Sequence, residues 1–178
     1  MLIREARSSD AGGIAKVQVD SWRTTYPGLV PEDVLSNLSY ERRETEWRQV
    51  FNSPDRVVFV AESEAGEIVG FASAGPERTG NKGYDGELYA IYLLQGYQKQ
   101  GIGSRLTLAV AARLASLGMR SLFVWVLSDN PARSFYEKIG GKRIMEQVIE
   151  IGSARLMETG YGWGDIHELI ENLRRRTP

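Results

Sequence analysis

The segment from Glu87 to Leu106 constrains the chain most. An apolar run of strand length, Glu87-Leu88-Tyr89-Ala90-Ile91-Tyr92-Leu93-Leu94, enters Gln95-Gly96-Tyr97. The chain continues as Gln98-Lys99-Gln100-Gly101-Ile102-Gly103-Ser104, which opens straight into a helical pattern. Two residues without side chains at such a junction let successive backbone N–H groups converge on an anion, where unpaired donors and the helix dipole favour negative charge. Ser104 can add a hydroxyl. A plain strand-to-helix turn that needs two glycines for its own geometry has the same pattern. Two nucleotide readings fail: a Rossmann fingerprint wants a small residue where Leu106 stands, and a P-loop wants a lysine between Gly103 and Ser104.

The rest of the chain supplies a mixed α/β order. Leu2–Arg7 reads as a first strand. Ser8, Ser9 and Asp10 are N-cap candidates for a helix to about Thr24, with Ile14 and Val17 inward. Pro31 suits the first position of a second helix with Glu32 and Asp33 in its first turn, and Val34, Leu35 and Leu38 inward. Ser39 caps a third from Tyr40 to about Phe51, with Trp47 and Phe51 on one face. Arg56–Glu62 and Glu67–Ala74 read as an antiparallel hairpin around Ser63–Gly66. Gly75–Gly86 reads as a loop. After the glycine loop, Ile102, Leu106, Ala109, Val110 and Leu117 share a helical face that Arg113 interrupts and Gly118 closes. Ser121–Leu127 is apolar throughout, as expected of a strand covered on both sides. Asn130 and Pro131 read as N-cap and first residue of a short helix closed by Gly140 and Gly141, with Phe135 and Ile139 inward. Lys142–Glu150 and Ala154–Gly162 are two further strands, and Asp165–Arg176 a last helix.

Composition narrows the function classes. A length of 178 residues suits one domain, 1–178, with a sizeable core. A formal net charge of −1 gives no basic field for nucleic acid, and Arg174-Arg175-Arg176 reads as a solvated helix end. No apolar run is long enough to span a bilayer and Met1–Glu5 carries no signal-peptide core, so no membrane is expected and a cytoplasmic location is. Zero cysteines and a single histidine, His167, leave no disulfide, thiolate metal site, multi-histidine site or cysteine acyl-enzyme. No metal is expected, and any acyl transfer should be direct.

Gln98-x-x-Gly101-x-Gly103 after an apolar strand is followed about thirty residues later by Asn130-Pro131-Ala132-Arg133-Ser134-Phe135-Tyr136-Glu137-Lys138. Together these resemble the acetyl-CoA signature of the GNAT acetyltransferases, and the order of elements from Leu2 to about Trp163 resembles the whole family domain. The resemblance implies a central, mixed and mostly antiparallel sheet flanked by helices, with a parallel, splayed strand pair at the cofactor site. It implies acetyl-CoA as cosubstrate. The backbone of Gln98, Lys99, Gln100, Gly101, Ile102, Gly103 and Ser104 would take the pyrophosphate, and the main chain of Ile91, Tyr92 and Leu93 the pantetheine amides as an added strand would. Asn130 would contact the cofactor arm or simply cap its helix. Arg133, Lys99 and Arg105 are candidates for the 3′-phosphate, or solvated charges.

Transfer needs a neutral amine and a proton for the departing thiolate. By resemblance Tyr136 is the proton donor, a phenol whose ordinary pKa near 10 suits that task. Glu87 resembles the position of a carboxylate acting on the amine, often through water; a solvated strand-end acid is the other reading. Trp22, Tyr26, Glu32 and Asp33 begin the acceptor-facing helices, and aromatics and acids suit a cationic amine. One departure from the family is Gly140 followed by Gly141 and Lys142, where many members read Gly-Phe. The acceptor, a small-molecule amine or an amine on a protein or peptide, is not named by these residues. An acyl-CoA-sensing module without turnover, another acyl donor and an oxygen acceptor remain open readings, and edge strands near the C-terminus suggest a homodimer.

Overall fold

The computed structural model describes residues 1–80 and 83–176. Seven strands of the described residues form one sheet in the order β1-β2-β3-β4-β5-β7-β6. They are β1 (Leu2–Glu5), β2 (Val57–Glu62), β3 (Ile68–Pro76), β4 (Gly86–Leu93), β5 (Leu122–Leu127), β6 (Lys142–Ile151) and β7 (Ala154–Trp163). The helices are α1 (Ala11–Thr25), α2 (Glu32–Ser36), α3 (Tyr40–Val50), α4 (Ile102–Ser116), α5 (Arg133–Lys138) and α6 (Ile166–Arg176). Every neighbouring pair is antiparallel except β4 and β5. None of the described helices is long and apolar enough to cross a membrane.

Helices cover both faces. Ile102, Leu106, Val110 and Leu114 of α4 and Ile166, Leu169 and Leu173 of α6 bury one face of the sheet. Ala11, Ile14, Ala15 and Val17 of α1, with Trp47 of α3, bury the other against Val58, Val60 and Phe71. A third cluster joins Tyr26, Val30 and Leu35 to Leu127. It sits on the α1 side, next to where β4 and β5 part.

The parallel pair holds together over only Gly86–Leu88 against Leu122–Val124. Beyond that point β4 continues to pair with β3 as far as Leu93, and β5 with β7 as far as Leu127. A bulge contributes: Ser73 faces Ala90 and Ala74 faces Leu88, so Tyr89 is the extra residue that bends β4. The two strands therefore splay, and the β5-facing edge of Tyr89–Leu93 is left open in the middle of a sheet.

Four local expectations are corrected. Leu117 is exposed, because α4 reaches its C-cap there and Gly118 turns left-handed at φ 88°; Leu114 takes the inward place instead, and Ala109 is half-buried. Arg113 is exposed beside it. The Asp10 side chain does not cap α1: a short 3₁₀ turn, Ser8–Asp10, precedes that helix, and the Asp10 carboxylate closes this turn by accepting from the Arg7 backbone N–H and from Arg4. The helix after Asn130 begins at Arg133 rather than Pro131, since Asn130 Oδ1 accepts from Ala132 N at 2.9 Å and closes a turn first. Phe135 is half-buried, while Tyr136 and Ile139 are the inward pair of that helix. Of the loop after β3, Asn81 and Lys82 lie outside the described residues.

Gly141 answers the departure from Gly-Phe. A side chain there would meet the Trp163 ring at 2.8 Å and Tyr136 O at 2.9 Å, and Trp163 Nε1 donates to Ile139 O at 3.0 Å. The tryptophan of β7 fills the space instead. Gly141→Ala should cost about 1–3 kcal/mol by overpacking against a ring and a backbone carbonyl, measured as a lower midpoint in denaturant with unchanged slope.

Candidate active site

The glycine loop turns left-handed at two positions and leaves a run of backbone N–H groups free. Gly101 is left-handed at φ 78° and Lys99, unusually for a residue with a side chain, at φ 60°. The side chains of both glutamines fold back: Gln98 Nε2 donates to Leu93 O at 3.2 Å and Gln100 Nε2 to Gly96 O at 2.8 Å. The first N–H of this region to find an acceptor is that of Arg105, which donates to Gly101 O at 3.1 Å. Those of Lys99 to Ser104 have none among the described residues. They stand as a row of free donors at the head of α4, and the splayed edge of β4 leads directly to them.

The splay is lined by phenols and carboxylates. Tyr136 of α5 is buried, its ring near Tyr161 (6.0 Å) and Trp163 (6.4 Å). Burial, aided by Tyr92 nearby, pushes its phenol well above the ordinary tyrosine range, so it stays protonated and keeps a proton to donate. Tyr26 and Tyr92 are raised for the same reason, and Tyr26 senses both other phenols. Asn130 is buried beside them, its Nδ2 3.4 Å from Tyr26 Oη. Ser21 of α1 donates to Leu93 O at 3.2 Å and ties that helix to the open edge.

Glu87 is buried at the root of the splay, and the loop after β3 seals it. Arg78 Nη2 donates to Oε1 at 2.7 Å; Arg78 N and Nε donate to Oε2 at 3.0 and 3.3 Å. The guanidinium lies over the Tyr89 ring at 3.7 Å. A carboxylate held by three donors offers a fixed negative field rather than a free lone pair. Arg78→Met removes the two guanidinium donors, leaves the buried carboxylate only the backbone N–H of residue 78, and should cost about 1–3 kcal/mol; Glu87→Gln, which keeps an acceptor oxygen for Arg78, should cost less. Thermal midpoints at the wild-type value for both variants would show that the pair contributes nothing.

Arg133 is also committed. Its Nη1 donates to Ser128 O at 2.7 Å and its Nε to Tyr161 Oη at 3.1 Å, bracing the turn that carries Asn130. Arg105 reaches Met1 O at 3.3 Å. On the α1 side, Trp22 and Tyr26 stack edge-on at 4.9 Å, and Phe123 and Trp125 at 5.0 Å. The buried indole N–H of Trp125 has no acceptor among the described residues, while that of Trp22 lies beside the Tyr92 phenol. Glu32 and Asp33 are exposed in the first turn of α2.

Three features escaped sequence reasoning. Arg78 lies in an irregular loop with no period to place it. Gly160 and Gly162 of β7 leave room that the rings of Phe123 and Trp125, and of Tyr84, fill. Glu158 lies two residues before Gly160 and is half-buried. The alternation Leu156, Glu158, Gly160 was the available signal: an acid at an inward position of a strand.

Residues 18–141 match the model of the acetyltransferase (GNAT) family. The chain belongs to this family. It is 46% identical to YuaI of Bacillus subtilis, an uncharacterised N-acetyltransferase, over 97% of this chain and 98% of that one. Among solved structures it resembles the PaiA N-acetyltransferase of Thermoplasma acidophilum, determined with coenzyme A, at TM-score 0.67 and 24% identity over 88% of this chain and 96% of that one. YncA of Salmonella typhimurium, determined with acetyl-CoA, gives TM-score 0.69 at 17% identity over 92% of both chains. The architecture is therefore the GNAT fold.

Proposed function

We propose that residues 1–178 form one N-acetyltransferase domain that moves the acetyl group of acetyl-CoA directly onto a primary amine. The observation that carries this reading is the splay beyond Leu88 and Val124, an open strand edge that runs into the free N–H row from Lys99 to Ser104. An extended thiol arm with amides and a pyrophosphate at its far end matches that pairing of an edge and a cradle. The main chain of Ile91, Tyr92 and Leu93 would pair with the pantetheine amides. The backbone from Gln98 through Gln100, Gly101, Ile102 and Gly103 to Ser104 would hold the pyrophosphate, with Lys99 beside it. Asn130 would meet the arm at the turn that Arg133 braces.

Tyr136 donates to the departing sulfur. The amine attacks the thioester carbonyl, the C–S bond breaks, and the thiolate takes the phenolic proton, which solvent then restores. Glu87 sets a negative field at the root of the splay, and with Trp22, Tyr26, Trp125 and Tyr84 on the same side the acceptor surface suits a cationic amine. The test is release of CoA from acetyl-CoA across a panel of amines, followed with a thiol reagent; the chain has no cysteine to contribute background. Turnover on at least one amine class is expected. Saturable binding of acetyl-CoA with no turnover on small amines, polyamines, amino acids or peptide N-termini would favour a sensing module.

A further inference from the structure

We propose that Glu158 of β7 is the group that accepts the proton of the attacking amine. The inference rests on the transferase reading above and names a residue outside both signature motifs. Glu158 pairs with Leu127 of β5 on one side and with Gln147 of β6 on the other. It shares the strand face of Leu156 and Gly160, which is the face of the aromatic surface around Trp125 and Tyr26. One oxygen, Oε2, accepts from Gln147 Nε2 at 3.0 Å; the structure gives Oε1 no partner among the described residues. Here is a carboxylate with an unoccupied lone pair, half-buried beside an apolar cluster, on the side of the splay from which an acceptor would approach Tyr136.

Glu87 is less available for the role, because Arg78 donates to both its oxygens. The groups facing Glu158 are Glu87 and Tyr92 of β4, Gln147 of β6 and the apolar Leu127 of β5. Burial raises the Glu158 carboxyl above the ordinary glutamate range, Gln147 opposes that, and the Glu87 charge adds to it. A carboxylate shifted in this direction is a better base near neutral pH than a solvated one. In the step itself, the N–C bond forms and the C–S bond breaks. The amine nitrogen loses a proton to Glu158 Oε1 as the sulfur gains one from Tyr136; solvent removes the first and replaces the second.

The test uses an amine that the wild-type protein acetylates, with kcat/KM followed from pH 5 to 9. Glu158→Gln should lower kcat about 10²-fold, abolish the acid limb that the enzyme contributes and leave the acetyl-CoA Kd within twofold. Glu158→Asp should restore part of the rate. Gln147→Leu removes the donor that holds the Glu158 pKa down, so its acid limb should move to higher pH with the limb intact. A purely structural role predicts a lower thermal midpoint in Glu158→Gln and an unmoved pH limb. That outcome, or a kcat within twofold of wild type at every pH, overturns the assignment while wild-type turnover leaves the transferase reading standing. Absence of turnover by the wild type on every amine overturns both.

Discussion

Gly101→Val should abolish most of the affinity for acetyl-CoA while leaving the fold in place. Gly101 sits at φ 78°, where a β-branched residue is a genuine outlier, and among the described residues no atom outside its chain neighbours lies within 4 Å of where its side chain would begin. The fold has no packing at stake there. Strain of about 1–3 kcal/mol at such a position is relieved by rearranging the loop, which turns the N–H groups of Lys99 to Ser104 away from a common point. Charged wholly to the bound state, that is roughly 5- to 150-fold in Kd, and the valine side chain adds bulk where the phosphates would lie. Gly96→Ala is the control: Gly96 has no positive φ and nothing within 4 Å, so it should bind acetyl-CoA as the wild type does. Titration calorimetry with thermal unfolding of the same samples reads both quantities. Equal affinity in Gly101→Val and wild type would remove the cradle from the account.

Tyr136→Phe should lower kcat about 10²-fold, the usual worth of a positioned proton donor, with little change in acetyl-CoA affinity. The substitution keeps the ring that packs near Phe135, Tyr161 and Trp163 and deletes one buried hydroxyl. Because burial holds the phenol protonated well past the ordinary tyrosine range, its donor capacity does not fade on raising the pH through 9. The wild-type rate should therefore show no loss from this group in that range, and the mutant deficit should be constant across it. A kcat unchanged from wild type across this pH range would mean that the departing thiolate needs no donor from Tyr136 and that the residue acts through packing alone.

The glycine turn was legible because its geometry is local: both the left-handed turn at Gly101 and the helix that follows are short-range events. The hairpins around Gly66 and Gly152 were legible for the same reason, each turning at a glycine with positive φ. The splay was not. It depends on which pairing β4 keeps after Leu88, and that is decided by the bulge at Tyr89 and by α1 anchored through Ser21 to Leu93. No period in the sequence records a tertiary choice of that kind. Leu117 misled because helical phase alone cannot say that the last turn has already left the core. Arg78 and Glu158 were missed for opposite reasons. The first lies in a loop without pattern, while the second lies in a strand whose alternation was plain but whose inward acid was not taken as a sign of chemistry. Trp163 shows a contact that a motif comparison alone would miss, its ring from β7 occupying the space a side chain at Gly141 would need.

The most direct test of the central claim is the backbone amide spectrum of the isotopically labelled protein during titration with acetyl-CoA. Saturable shifts should concentrate on Lys99–Ser104 and on Tyr89–Leu93, with Asn130 and Tyr136 moving in the same transition. Saturable shifts confined to other elements, with these amides unmoved, would contradict a cofactor held along the splayed edge of β4 and at the head of α4.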